Sequence, residues 1–332
     1  MIKLKSVKFK NYCGYRDTIF DFVGEDGRVK PIAMFYGPNG AGKSNLLNAA
    51  NMLGQAHRYT NKDTGLLFRK LTFHPDYNPT YAGFQIASDP MEVHGVFRYV
   101  DRNGNASDRS VIITTEGVIK NELPLKNPTM GPSDHCYFID SDKESERRKF
   151  LLHEEKACEF KDLAEIIYGY KVELGREVSD LYNTDVGFYT DFTIQKESGV
   201  KVHFKRMSDG ERKIAKMITS LCNPIYMDNI DILLIDNIDM HVYFKRHIQM
   251  LREILSRFPD KQFLVTTHSG VIIEFTNKKY QYDIEIYKAD EARRLGQVVL
   301  PEMGACDQFV VAPGADRLVN LSNEIDPEIE DE

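Results

Sequence analysis

The feature that most constrains this chain is a glycine-rich segment, residues 37–44, with the spacing G-x-x-x-x-G-K-S. An apolar run at residues 32–35 precedes it and a helix-like run at residues 45–53 follows it, so the sequence predicts a strand, a loop and a helix. Glycines let backbone N–H groups surround a polyphosphate, and the helix directs its positive end at the anion. In that arrangement Lys43 reaches the β- and γ-phosphates and Ser44 binds Mg²⁺. The segment predicts a nucleotide-binding loop, with a plain glycine turn as the alternative.

Charge and composition are those of an ordinary globular protein. The 332 residues suffice for one large α/β domain or for one domain with a sizeable insertion. The 43 Lys and Arg residues against 50 Asp and Glu residues give a net charge of −7, so no overall positive field favours nucleic acid, although a local basic face stays open. Five cysteines without a C-x-x-C pair indicate reduced thiols. Because no apolar run is long enough for a signal or a membrane span, we expect a cytoplasmic protein without a membrane partner.

Strand patterns surround the glycine-rich segment. Residues 2–12 alternate apolar and basic side chains, and residues 18–22 form a second strand-like run before the loop. After the first helix, strand patterns at residues 92–100, 110–114 and 117–119 are joined by turns, which predicts an antiparallel β-meander. Two strands come before the loop, so the fold does not open directly on its nucleotide-binding strand.

A charged segment, residues 141–182, is rich in Glu, Lys, Arg and Leu, and only Gly169 and Gly175 interrupt it. Its apolar residues recur at roughly helical spacing, which predicts a pair of helices. About forty residues are too few for a long coiled-coil arm. The charges indicate a solvated face, with a partner surface as the alternative.

A helix start is predicted at Ser208. Residues 208–211 read Ser-Asp-Gly-Glu, and an amphipathic run at residues 214–221 follows. Ser208 with Glu211 three residues later has the pattern of a capping box, in which each side chain satisfies a backbone N–H of the other residue. On this segment alone, a structural cap and a functional motif are equally open.

Two further apolar runs end in polar residues. Residues 231–236 end in the carboxylate of Asp236, and residues 262–266 lead to Thr267 and His268. Buried parallel strands read as continuous apolar runs, and sites of α/β proteins lie at their carboxyl ends. A lone histidine at a strand end is usually structural, but its place after the other segments favours a functional role.

These four segments, in this order, resemble the ABC-type ATPase head, specifically its RecF/SMC/OLD-like branch, over most of the chain. The start of the chain also resembles the opening strand motif of that branch, whose residues lie near the nucleoside. Asp209 stands where transporters usually have glycine. The matching segments are the opening motif at residues 9–12, Walker A at 37–44, the ABC signature at 208–211, Walker B at 232–236 and the switch histidine, His268.

The resemblance implies an α/β fold, a P-loop NTPase with ABC ATPase head topology. It implies a single domain over residues 1–332, with an antiparallel β-meander in lobe I, residues 1–140. A helical insertion would follow at residues 141–185. Lobe II, residues 186–332, would carry the signature, Walker B and the switch histidine.

The resemblance also implies ATP and Mg²⁺ as cofactors and a homodimer that sandwiches ATP between its subunits. Ser44 and Asp236 would hold the metal, Asp236 through water. Asp236, position 237 and His268 would serve catalysis. Signature residues of one copy would close over the ATP bound by the other. The implied nucleotide-binding residues are Asn39, Gly40, Gly42, Lys43, Ser44, Asn45, Lys10 and Asn11, with Ser208, Gly210 and Glu211 of the signature.

Two positions depart from the family pattern. The catalytic base of the family is a glutamate directly after the Walker B aspartate, and here that residue is Asn237. An amide cannot take a proton near pH 7, and losing a general base costs about 10²–10⁴-fold in rate, so we expect slow or partner-dependent hydrolysis. Asp239 and His241 are alternative candidates for the catalytic base, although neither occupies the position of the family's glutamate. The glutamine of the family's Q-loop also has no clear match, with Asp140 or Asp142 as candidates.

Length separates the relatives within this branch. The charged segment is too short for the coiled coil of an SMC protein. Only 64 residues follow His268, too few for a TOPRIM nuclease domain of roughly a hundred residues. We therefore expect a bare ATPase head, and any effector, such as a nuclease, would be another chain.

Three functions stay open. The first is an ATP-gated scaffold or sensor in DNA repair or anti-phage defence, working with a separate effector or with DNA. The second is a non-hydrolysing, nucleotide-locked assembly, which Asn237 favours. The third is direct RecF-like DNA binding through basic clusters at residues 147–149, 201–206 and 278–279, with dispersed solvated charge as its alternative.

Overall fold

The computed structural model describes residues 1–13, 15–59, 91–114, 117–124, 135–140, 150, 152–175, 188–223, 227 and 229–284. All of them belong to the first of two compact units, Met1–Glu291, while the second, Ala292–Glu332, lies outside the described residues. No helix among the described residues is both long enough and apolar enough to cross a membrane.

The described residues form α-helices and β-strands. The helices are α1 (Lys43–Gly54), α2 (Ala157–Tyr168), α3 (Asp209–Leu221), α4 (His247–Arg257) and α5 (Gly270–Phe275). The strands are β1 (Ile2–Tyr12), β2 (Tyr15–Asp21), β3 (Ile32–Tyr36), β4 (Glu92–Val100), β5 (Ala106–Thr114), β6 (Gly117–Asn121), β7 (Cys136–Asp140), β8 (Leu152–His153), β9 (Lys171–Gly175), β10 (Phe188–Tyr189), β11 (Asp191–Gln195), β12 (Lys201–His203), β13 (Ile232–Asp236), β14 (Gln262–Thr266) and β15 (Gln281–Asp283).

The antiparallel sheet has the strand order β2-β1-β4-β5-β6. Along β1, apolar side chains such as Val7 and Phe9 are buried and the lysines between them face outward, as the period of two predicts. Strand β1 pairs with both β2 and β4, so the N-terminal strand is central in this sheet. The β-meander predicted from the sequence is confirmed.

The parallel sheet has the order β15-β3-β14-β13-β7, and every neighbouring pair runs parallel. All five residues of β13 and of β14 are buried, which explains their continuous apolar sequences. Parallel strands align their carboxyl ends, so the segments that follow β3, β13 and β14 meet at one edge of the sheet. Strands β3 and β7 come from the first 140 residues and the others from residues 232–283, so the sheet joins distant parts of the chain.

The parallel sheet separates two hydrophobic cores. Alternate residues of each strand face opposite sides: Met34 and Leu233 belong to one core, and Phe35 and Leu234 to the other. The core that contains Phe35 is built by α1 and the antiparallel sheet. The core that contains Met34 is built by α2, α3, α4 and the small strands β8 to β12.

The described part of residues 141–185, the predicted helical insertion, is a mixture of helix and strand. Helix α2 ends at Gly169, whose φ of 72° is left-handed and closes the helix. Residues Lys171–Gly175 then form β9, which pairs antiparallel with β11 and buries Val172. The prediction of a second helix is wrong over these residues, because the partner strand β11, later in the chain, fixes them as a strand. Residues 141–149, 151 and 176–187 lie outside the described residues.

Candidate functional site

The loop between β3 and α1 has the backbone geometry of a phosphate-binding loop. Gly37, Gly40 and Gly42 all have positive φ, at 141°, 78° and 104°, a region that residues with a Cβ rarely adopt. Gly42 is the N-cap of α1, and no side chain caps that end of the helix. The first-turn N–H groups of a helix have no partner within it, so they suit an anion.

Lys43 is the first residue of α1 and is only 6% exposed. Its Nζ donates hydrogen bonds to the carbonyl oxygens of Gly37, at 2.8 Å, and Pro38, at 3.0 Å. Burial lowers the pKa of Lys43, and the carboxylates of Asp236 and Asp239 oppose this shift. The amine is therefore folded back onto its own loop and faces two carboxylates.

The remaining loop residues lie around the same turn. Asn39 and Gly40 are exposed at the tip of the loop, and Ser44 and Asn45 are half-buried in the first turn of α1. At the end of β1, Lys10 is exposed and Asn11 has a φ of 51°. Their roles in nucleotide binding stay predictions.

Asp236 ends β13 and is 6% exposed. The hydroxyl of Thr266 donates to its Oδ1 at 2.5 Å, and the same hydroxyl accepts the backbone N–H of Asn237 at 2.7 Å. One threonine at the end of β14 therefore orients the carboxylate and starts the turn that follows it. Asp140 is opposite Asp236 in the register of β7 and β13, whereas Asp142 lies outside the described residues.

Asp239 connects this turn to the loop that carries His268. Its Oδ1 accepts the hydroxyl of Thr267 at 2.5 Å and the backbone N–H of His268 at 3.2 Å. Burial and Lys43 lower the pKa of His268, while Asp239 and Asp236 oppose that shift. The segments after β3, β13 and β14 thus bring four ionisable groups within electrostatic range of one another.

A buried histidine makes a second connection between the same two loops. The Nε2 of His247 is 2.9 Å from the carbonyl oxygen of Val242, and its Nδ1 is 2.7 Å from the hydroxyl of Ser269. A carbonyl only accepts, so Nε2 carries the donated proton, and in the neutral ring Nδ1 accepts from Ser269. Sequence reasoning missed His247, because the amphipathic pattern of its helix does not reveal these partners.

Ser208 and Glu211 form the capping box that their spacing predicted. The Glu211 carboxylate accepts the backbone N–H and the hydroxyl of Ser208, both at 2.9 Å, and the Ser208 oxygen accepts the N–H of Glu211 at 3.3 Å. Burial raises the pKa of Glu211, but its bonds with Ser208 and its ion pair with Lys196 outweigh burial and hold the pKa below its ordinary value. The structural interpretation of this segment is confirmed, and α3 keeps a fixed N-terminus.

Gly210 packs against the turn that follows Asp236. A Cβ at this position would lie 3.0 Å from Nδ1 of His241 in the same chain, and His241 itself has a φ of 68°. Gly210 was predicted only as a contact to nucleotide held by a second copy. The structure adds an intramolecular reason for a glycine, which the local sequence does not carry.

Comparison with solved structures identifies the fold, while no protein-family model matches the sequence. The chain is similar to the Smc head domain with an extended coiled coil, bound to the C-terminal domain of ScpA, from Pyrococcus furiosus: the TM-score is 0.50 and the identity 12%, over 82% of this chain and 92% of that one. The SMC head domain from Thermotoga maritima scores 0.45 at 13% identity, covering 82% of this chain and 91% of that one. The structure of the recombination mediator protein RecF with ATP, from the RecFOR pathway, gives a TM-score of 0.42 at 14% identity, over 81% of this chain and 93% of that one. On the strength of the Pyrococcus furiosus match, this chain has the α/β P-loop fold of an ABC-type ATPase head.

Proposed function

We propose that this chain binds MgATP at the carboxyl edge of its parallel sheet and acts as an ATP-gated dimer. The observation that carries the proposal is the meeting of Lys43, Asp236, Asp239 and His268, which come from three separate segments at one edge of the sheet. The two carboxylates act on the pKa values of both Lys43 and His268. A lysine amine beside uncapped helix N–H groups suits a polyphosphate, and a carboxylate with a hydroxyl suits Mg²⁺.

The residues at this edge fit both cofactors. The positive-φ glycines leave the loop backbone open, and a Cβ at Gly40 would meet nothing within 4 Å. Lys43 would exchange its bonds to the Gly37 and Pro38 carbonyls for phosphate oxygens. Ser44 and Asp236 would hold Mg²⁺, which neutralises charge on the phosphates when bound.

Hydrolysis is proposed to be slow or to depend on a partner. Asn237 offers no base, and Oδ1 of Asp239 already accepts two hydrogen bonds from the loop after β14. His241 packs against Gly210 at the start of α3. These contacts favour a dimer that ATP keeps closed for a long time. In the extreme case, the dimer would be a nucleotide-locked assembly that does not hydrolyse ATP.

The dimer would form through the N-terminus of α3. Ser208 and Gly210 of one copy would approach the ATP held by the other copy, and the N–H groups of a 13-residue helix favour the γ-phosphate there. The side chain of Glu211 is engaged with Ser208, so it holds the shape of this helix start and does not point a further carboxylate at the nucleotide.

The biological output is proposed to lie with a separate effector such as a nuclease, in DNA repair or anti-phage defence. The Pyrococcus furiosus head with the same fold was crystallised with a domain of a second protein, which is a precedent for such docking. Direct DNA binding has less support, because Lys201, in one of the three basic clusters, pairs with the carboxylate of Glu173. DNA affinity that falls steeply with salt would favour the DNA-binding alternative.

Nucleotide binding is tested by calorimetry with MgATP on the native chain and on Lys43→Ala. We expect the native chain to bind and Lys43→Ala to lose at least about tenfold in affinity, since the variant removes the cation that contacts the loop carbonyls. Lys245→Ala, which removes an exposed lysine, is the matched control and should bind as the native chain does. Equal binding by all three proteins would overturn the proposed site.

A further inference from the structure

We propose that two buried tyrosines, Tyr12 and Tyr15, are positioning residues that hold the first turn of α1 so that its N–H groups face the nucleotide phosphates. The inference rests on the nucleotide binding proposed above. It adds to the site two side chains that lie outside the phosphate-binding loop, on the hairpin formed by β1 and β2.

The two hydroxyls bind carbonyl oxygens at the start of α1. The Tyr15 hydroxyl donates to the carbonyl of Gly42 at 3.1 Å, and the Tyr12 hydroxyl donates to the carbonyl of Asn45 at 3.2 Å. The Gly42 oxygen also accepts the N–H of Leu46 at 3.1 Å, within the helix. A carbonyl oxygen has two lone pairs, so the helix bond and the tyrosine bond together fix its direction.

Fixing the Gly42 carbonyl also fixes the N–H of Lys43. The two groups belong to one peptide unit, which is planar and trans, so the N–H points away from the carbonyl. Gly42 has a φ of 104° and no side chain, so no side chain of its own adds to the restraint that the helix bond from Leu46 gives this unit. The Tyr15 hydroxyl supplies a second restraint from a different part of the fold.

The tyrosine rings are themselves held firmly. Tyr15 is 0% and Tyr12 2% exposed, and both stack on Phe9, with ring centroids 4.9 Å and 5.3 Å away. Phe20 meets the Tyr15 ring edge-on at 5.8 Å. Burial raises the pKa of Tyr12 well above its ordinary value, so this hydroxyl stays a donor. The antiparallel sheet therefore presents both hydroxyls from a rigid aromatic support.

The backbone on both sides of Tyr12 has an unusual conformation. Asn11 and Cys13, on either side, have φ values of 51° and 45°, in the left-handed region that non-glycine residues seldom adopt. Such conformations persist where surrounding contacts determine them. The hydrogen bond of Tyr12 to the helix is one such contact.

The test compares Tyr15→Phe and Tyr12→Phe with a matched control, Tyr282→Phe. Tyr282 is 3% exposed, packs on Phe20 and Phe35, and donates its hydroxyl to the carbonyl of Asp21 at 2.6 Å, away from the loop. Each variant keeps its ring and loses its hydroxyl. Dissociation constants for MgATP and MgADP are measured by calorimetry, and the thermal midpoint is recorded alongside.

We expect Tyr15→Phe to weaken MgATP and MgADP by the same factor, about three- to tenfold, because the loop N–H groups bind phosphates that both nucleotides share. Tyr12→Phe should weaken both by a smaller factor. Tyr282→Phe should bind both nucleotides with an affinity within about twofold of the native value, even where its thermal midpoint falls as much as that of Tyr15→Phe. His268→Ala, by contrast, should weaken MgATP alone.

The positioning role is overturned if Tyr15→Phe and the double variant Tyr12→Phe/Tyr15→Phe bind both nucleotides as Tyr282→Phe does. If Tyr15→Phe does not fold, Tyr12→Phe decides by the same comparison. A native chain that binds neither nucleotide would overturn the proposed function together with this inference. If the native chain binds both nucleotides and the tyrosine variants bind them with unchanged affinity, the positioning role alone is overturned.

Discussion

Asn237 follows Asp236 in a left-handed backbone conformation, with a φ of 51°. Its N–H donates to Thr266, and its carbonyl accepts the N–H of Met240 at 2.9 Å, which closes the turn. Asparagine and aspartate enter this conformation more easily than longer side chains. The residue therefore serves the turn well and supplies no base, which links the local backbone to the slow hydrolysis proposed for the chain.

The first prediction concerns turnover. Asn237→Asp and Asn237→Glu should raise the rate of phosphate release from MgATP by about 10²-fold, since each adds a general base. Aspartate suits the backbone, whereas glutamate costs about 1 kcal/mol of stability there. Asn237→Ala, the control, should gain nothing. A native chain as fast as the two acidic variants would show that another residue is the base.

The second prediction concerns His268. Its pKa lies below the ordinary value of about 6.5, because burial and Lys43 disfavour the charged ring. NMR titration should give a midpoint below that value, and Asp239→Asn should lower it further, since the variant removes an opposing carboxylate. Asp209→Asn changes an exposed carboxylate on α3 and should leave the midpoint unmoved.

The lowered pKa of His268 also determines how the stability of the folded chain changes with pH. The unfolded chain takes up the proton more readily than the folded one, so the His268 contribution is complete above the unfolded pKa and declines as the pH falls towards the folded pKa. A midpoint for His268 at or above the ordinary histidine value would contradict the electrostatic account of the site.

At the scale of elements, tyrosine hydroxyls hold two helix starts, that of α1 in the proposed phosphate-binding site and that of α3 in the proposed dimer contact. Tyr12 and Tyr15 bind the first turn of α1, while the hydroxyl of Tyr168, at the end of α2, donates to the carbonyl of Glu211 in α3 at 2.5 Å. Burial raises the pKa of Tyr168 well above its ordinary value, so it too stays a donor. Each helix is thus fixed from a neighbouring element.

The third prediction concerns the contact between α3 and the turn after β13. In a helix, alanine is favoured over glycine by about 1 kcal/mol, but a Cβ at position 210 would press on the His241 ring at 3.0 Å. Gly210→Ala should therefore lower the free energy of unfolding in the native background. It should become neutral or stabilising in the His241→Gly background, which removes both the ring and the Cβ of residue 241, the latter 3.1 Å from the added Cβ.

Urea unfolding of the two single variants and the double variant measures this coupling. Equal effects of Gly210→Ala in both backgrounds would show that the two residues do not interact in solution.

The sequence predicts an element well where its signal is local. Strands β13 and β14 are continuous apolar runs, and Ser208 with Glu211 has the spacing of a capping box, so all were predicted correctly. Strand β9 was not, because its Glu, Lys and Leu content suits a helix and only pairing with β11 decides otherwise. Contacts between distant residues, such as Tyr15 with Gly42 or His241 with Gly210, leave no local pattern to detect.

At the scale of the whole molecule, one parallel sheet gathers the site. The glycine loop, Asp236 and His268 follow neighbouring strands, so the order of motifs in the sequence was enough to predict that they meet. The hydrogen bonds of Asp239 and His247 then tie the last two segments into one unit, which the sequence could not show. In the proposed ATP complex, we expect a change at the γ-phosphate to reach His241 and α3 through this unit.

The most direct test of the ATP-gated dimer is the molar mass of the native chain, measured by light scattering after size exclusion with MgATP, with MgADP and without nucleotide. The account predicts about twice the chain mass of 38.2 kDa with MgATP and a single chain mass in the other two conditions. Lys43→Ala should remain at the single chain mass throughout. The same molar mass of the native chain in all three conditions would contradict the ATP-gated dimer.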